Sequence, residues 1–147
     1  MTAVGALLTA GAVTVAPAAS AATCETIAGI QLCGAVKNRT GKTMAITRSF
    51  SGSHFCDVWN WDGGTGNNWN HHACTQESWG SGTRGGNGTG VDVDAFSFAN
   101  QGYHERFTRL GTWHWRTQGV WTKIRSGEIA DCGIGDQNAI WCTVLWQ

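Results

Sequence analysis

Short runs of β-branched and aromatic residues recur along the chain at 34–38, 43–50, 56–61, 91–98, 103–110, 112–116, 120–125, 128–132 and 140–146, with Gly, Asn, Asp or Ser between them. Each run has the length of a strand, and the residues between them suit turns. No window of a dozen residues keeps an apolar stripe at i, i+3, i+4 spacing, so helices are not expected. Strands at regular spacing with no helices between them predict an all-β chain folded as an antiparallel β-sandwich. In the last run Ile140, Cys142, Val144 and Trp146 alternate with Ala139, Trp141, Thr143 and Leu145. Both faces are apolar, as in a central strand. In 120–125, Val120, Thr122 and Ile124 oppose Trp121, Lys123 and Arg125, and the second set is expected to face solvent apart from Trp121. The stretch 60–90 is different: it holds Trp61, Trp69 and Trp79 among repeated Asn and Gly, with few aliphatic residues. It reads as a long loop tied near its base by Cys56 and Cys74, and such a loop is normally functional or mobile.

The first 22 residues carry no charged side chain and end in a run of small residues, Ala18-Ala19-Ser20-Ala21-Ala22. That is the apolar region and cleavage site of a secretory signal peptide, which places the mature start near Thr23 and the protein outside the cell. All six cysteines follow this segment: Cys24, Cys33, Cys56, Cys74, Cys132 and Cys142. An even count in an exported chain favours disulfides. Clustering favours pairing Cys24 with Cys33, Cys56 with Cys74 and Cys132 with Cys142. No C-x-x-C occurs, and the one His near a Cys at ligand spacing is His71 or His72 before Cys74, so no structural metal is expected.

The expected organisation is therefore a leader over 1–22, a disulfide-closed N-terminal arm over 23–34, and a sandwich over 35–147. Ile27, Ile30 and Leu32 cannot all bury inside so short an arm. They pack either on the body or on another protein. The candidate partner-binding residues are Glu25, Thr26, Ile27, Ile30, Gln31 and Leu32.

Ten basic residues balance ten acidic ones, and charged residues make up only 14% of the chain. Zero net charge and the lack of like-charge runs argue against nucleic acid or a membrane surface as partner. The residues also argue against catalysis. His54, His71, His72, His104 and His114 are possible bases, but there is no G-x-S-x-G elbow and pairing consumes every thiol. Asp92 and Asp94 alternate on one strand face after a glycine-rich stretch. A solvent-side or loop-capping role is favoured there over calcium. A glycosidase pair could be drawn from Asp57, Asp62, Glu77, Asp92 and Asp94, but spacing selects no two of them. No catalytic residue and no cofactor are expected.

Nine tryptophans are the strongest compositional signal. Trp59 with Trp61, and Trp113 with Trp115, sit two apart, so each pair should project from one strand face. Most should be core. Trp69 and Trp79, in the long loop, are the candidates for exposed ligand-binding rings.

The arm at 23–34, Asn38-Arg39-Thr40-Gly41-Lys42-Thr43-Met44, the segments 56–61 and 119–124, and Val91-Asp92-Val93-Asp94-Ala95-Phe96 together resemble small secreted adaptor subunits of umbrella toxin particles from filamentous actinobacteria. The resemblance implies a non-enzymatic antibacterial toxin-complex component. Its N-terminal strap would enter the cleft of a lectin-like trypsin-fold subunit, and its body would bind the large toxin subunit. The expected function is thus a secreted adaptor. The alternatives are a carbohydrate-binding module using exposed Trp side chains, and a protease inhibitor in which the 24–33 loop mimics a substrate.

Overall fold

The computed structural model describes residues 23–147. The leader expected over 1–22 lies outside them. The described residues form fourteen strands: β1 Glu25–Ile27, β2 Ile30–Leu32, β3 Ala35–Asn38, β4 Met44–Thr47, β5 His54–Val58, β6 Asn70–Cys74, β7 Glu77–Trp79, β8 Gly82–Gly85, β9 Ala95–Ser97, β10 Tyr103–Phe107, β11 His114–Arg116, β12 Val120–Lys123, β13 Glu128–Ile134 and β14 Ile140–Trp146. β1 and β2 pair only with each other. The rest make two six-stranded sheets, in the orders β11-β10-β14-β13-β3-β8 and β6-β5-β12-β9-β4-β7.

The all-β sandwich holds, but its sheets are mixed. β10 with β14, β13 with β3, and β12 with β5 run parallel. Parallel partners are joined by long connections, so local sequence spacing carries no trace of them. β14 is an interior strand, as its two apolar faces require.

Strand alternation builds the core. Val36, Tyr103, Phe107, Ala130, Ile140 and Val144 from the first sheet meet Met44, Ile46, Phe96, Trp59, Phe98 and Ile124 from the second sheet and its flanking residues. Full burial of each large apolar side chain contributes about 1.5–3 kcal/mol. The polar tips are satisfied in place: Trp59 Nε1 donates to Thr122 Oγ1 at 2.9 Å, and Tyr103 Oη lies 2.8 Å from the same hydroxyl. Three disulfides close as the clustering predicts, and Cys132 and Cys142 bridge directly opposed positions of β13 and β14.

The segment 60–90 is not one long loop, because β6, β7 and β8 lie within it. All three are at or next to sheet edges. Such strands bury few side chains, so Asn, His, Gly and Ser serve there and the apolar alternation that marks an interior strand is missing.

The outer face of the second sheet is also covered. Trp121, Ala95, Val58 and the Cys56–Cys74 bridge form a second apolar cluster under Ala45, Phe50 and Trp61. Lys123 does not simply face water: its ammonium lies 4.7 Å from the Trp61 ring centroid and donates to Trp61 O at 2.9 Å. Trp59 and Trp61 consequently belong to opposite layers, since the chain leaves β5 before Trp61.

Candidate functional site

The arm is a β-hairpin. Ala28 and Gly29 both take positive φ (49° and 80°), the conformation of a two-residue turn whose twist matches the strands it joins. Glu25 pairs with Leu32, Thr26 with Gln31 and Ile27 with Ile30. Because strand faces alternate, Glu25, Ile27, Ile30 and Leu32 share one face, and Thr26 with Gln31 the other. The Cys24–Cys33 bridge closes the ladder one step beyond Glu25 and Leu32. An isolated two-stranded ribbon is marginal in water, so a covalent closure suits this position.

The root of the hairpin is held by side chains far away in sequence. Gln147 Nε2 donates to Cys33 O at 2.7 Å, Cys33 N donates to Asn87 Oδ1 at 2.9 Å, and Gly90 N donates to Gln31 Oε1 at 3.1 Å. Gln147 Oε1 also accepts from Asn87 N at 3.1 Å, which ties the anchors to one another. Leu32 is half-buried near Gly127. Beyond the bridge, Gly34 N donates to the buried Asp92 carboxylate at 2.5 Å, and Val93 N donates to Gly34 O at 3.1 Å. A Cβ on Gly34 would lie 2.1 Å from Val93 O, so only glycine fits this joint.

The tip is the opposite case. Ile27 is 52% and Ile30 62% exposed, and Glu25 and Thr26 are exposed beside them. The six expected arm residues are therefore together on one hairpin, with Gln31 and Leu32 at its anchored root and Ile27 and Ile30 at its free end. Sequence reasoning missed Asn87, Gly90 and Gln147. No local pattern marks them, because each acts through a contact formed only by folding.

The other candidates are scattered. Trp69 is exposed just before β6, whereas Trp79 is half-buried against the main core with the Arg84 guanidinium 4.8 Å from its ring centroid. Trp79 therefore offers no open platform. Asp92 and Asp94 are not solvent-side. Burial raises both pKa values, Asp94 to about 6 with added repulsion from Asp92, while Lys123 acts in the opposite sense on Asp94. Asp92 does cap a loop, through its bond to Gly34 N. His71 Nδ1 lies 2.5 Å from Asp57 Oδ1, and its ring stacks on Phe55. Among the described residues no group of three or more His, Cys, Asp or Glu side chains is placed to hold a metal ion. None of the helices among them is long and apolar enough to cross a membrane.

Comparison of the chain with protein-family models, with curated proteins and with solved structures gave no match.

Proposed function

We propose that the chain is a secreted, non-enzymatic adaptor that docks its N-terminal hairpin into a groove of a partner protein. One observation carries this reading: Ile27 and Ile30 stand exposed at the tip of a hairpin that a disulfide closes and hydrogen bonds anchor. Burying each side chain in a partner would contribute about 1.5–3 kcal/mol. The bridge and the anchored root have already removed much of the ordering cost that a flexible arm would meet on binding. Three disulfides with no free cysteine among the described residues support an oxidising, extracellular setting. The resemblance to umbrella toxin adaptors supplies the partners proposed: a lectin-like trypsin-fold subunit for the hairpin, and a large toxin chain for the body.

The test is reconstitution of the mature protein with a trypsin-fold lectin subunit of an umbrella particle, read by co-elution and by hydrogen exchange. Protection concentrated on residues 25–32 supports the reading. Co-elution that survives deletion of 23–32, with Cys33→Ser to avoid a stray thiol, rejects it.

A further inference from the structure

The outer face of the first sheet carries a second constellation, remote in kind from the aliphatic hairpin. Strand register sets Trp115 opposite His104, His104 opposite Trp141, and Trp141 opposite Gly133. The rings make a continuous row: His104 stacks on Trp141 at 4.1 Å, and Trp115 lies 4.9 Å from His104. Trp113 meets Trp141 edge-on at 4.7 Å. Trp115 is 53% exposed. A methyl group on Gly133 would touch nothing, so the row ends beside Trp141 in open space.

The next row along the same strands is polar: Arg106, Thr143, Asp131 and Lys37. It borders a hollow of about 270 Å³ lined by Arg39, Arg106, Arg109, Asp131, Thr143 and Leu145. Arg106 joins the two rows, with its guanidinium 4.3 Å from the Trp113 centroid and its Nε donating to Thr143 Oγ1 at 3.2 Å. Asp131 neutralises Arg39 across 2.8 Å. Among the described residues, Arg106 and Arg109 have no carboxylate partner. Three arginines less one aspartate leave the hollow at +2, in a chain whose formal net charge is zero.

We propose that this face binds an acidic polysaccharide, one sugar ring stacking on the exposed face of Trp115 and the carboxylate or sulfate group of a nearby unit held by Arg106 and Arg109. Apolar sugar faces pack on aromatic rings, and guanidinium forks match carboxylate and sulfate oxygens. The Trp115 ring lies over Gly102, four residues from Arg106 along the same stretch of chain, about 14 Å, so the stacked and the charged units belong to one oligosaccharide rather than to one sugar. Single-stranded nucleic acid also stacks and carries charge, but it needs a longer basic track than two unpaired arginines on a neutral chain.

The experiment is affinity electrophoresis of the mature protein through gels containing polygalacturonate, heparin or dextran, with competition by oligo(dT). Retardation by polygalacturonate or heparin but not dextran is expected, and which of the two retards more tells carboxylate from sulfate. Trp115→Ala and Arg109→Ala should each weaken retardation about tenfold, the scale of one lost stacking or charge-assisted contact. Trp69→Ala should leave it unchanged. Both altered side chains are exposed, and an unchanged thermal midpoint verifies folding. Failure of both acidic polymers to retard the protein, equal retardation by dextran, stronger binding to oligo(dT), or full retardation of both variants overturns the proposal. The hairpin is intact in every variant, so this result is independent of the adaptor reading.

Discussion

Ile27 and Ile30 are cross-strand partners flanking the Ala28-Gly29 turn, and together they make an uncovered aliphatic tip on a root fixed to the body. More than half of each side chain is already exposed, so a charge at either position costs the fold little, yet it would have to be desolvated in any apolar groove. Ile27→Asp with Ile30→Asp should leave the thermal midpoint within about 1–2 °C, as for surface substitutions. The same double variant should weaken partner binding more than a hundredfold, measured by titration calorimetry. Wild-type affinity in this variant would remove the tip from the interface.

Gly34 joins hairpin to sandwich, and the carbonyl of Val93 occupies the space a side chain would need. The obstacle is backbone, so it cannot rotate away. Gly34→Ala should cost about 1–3 kcal/mol in denaturant unfolding, the scale of other overpacked sites. Part of that loss comes from the bond between Gly34 N and Asp92, which hydrogen exchange at Gly34 would report directly.

The sandwich and its central strand are legible in the sequence because interior strands must alternate. Tyr103, Glu105 and Phe107 are buried while His104 and Arg106 are not, and period-two patterning records this. Glu105 shows where that rule stops: it is fully buried, with its carboxylate 3.0 Å from Arg116 Nη2, and Arg116 comes from a neighbouring strand whose pairing the sequence does not announce. The second apolar layer fails for a related reason. Trp121 stands alone as an apolar residue on an otherwise polar strand face, and what covers it, the return of Phe50 and Trp61 over the sheet, leaves no mark in the local alternation. Within the arm, the paired cysteines and aliphatic residues mark a closed projection, but the anchors Asn87 and Gln147 lie 54 and 114 residues from Cys33.

Stability should fall as pH rises from about 4.5 to 7. Burial lifts Glu105 to about 7 against the pull of Arg116, lifts Asp94 to about 6, and also raises Asp92 and Glu128. Over that interval the folded chain holds protons that the unfolded chain has released, so the slope of unfolding free energy against pH is negative. Below the unfolded pKa values both states are protonated and the contribution is complete. A thermal midpoint that instead climbs between pH 4.5 and 7 would contradict these shifts.

The arm disulfide should matter for binding more than for folding. Cys24 and Cys33 are nine residues apart and enclose only the hairpin, while the sandwich keeps its own core and two other bridges. In Cys24→Ser with Cys33→Ser, the body should unfold near the wild-type denaturant midpoint, but amides of residues 25–32 should exchange much faster. Three-residue strands without closure fray, and the partner must then reorder them. If closure contributes about 2–3 kcal/mol, affinity falls roughly 30- to 150-fold. The root bonds from Gln147 and Asn87 still hold Cys33's backbone, so binding should return at higher partner concentration with the tip contacts unchanged. That separates the bridge from the tip: removing closure raises the cost of presenting Ile27 and Ile30, whereas charging them removes what the groove receives. Equal losses from both variants at all concentrations would mean that the bridge shapes the contact itself rather than its readiness.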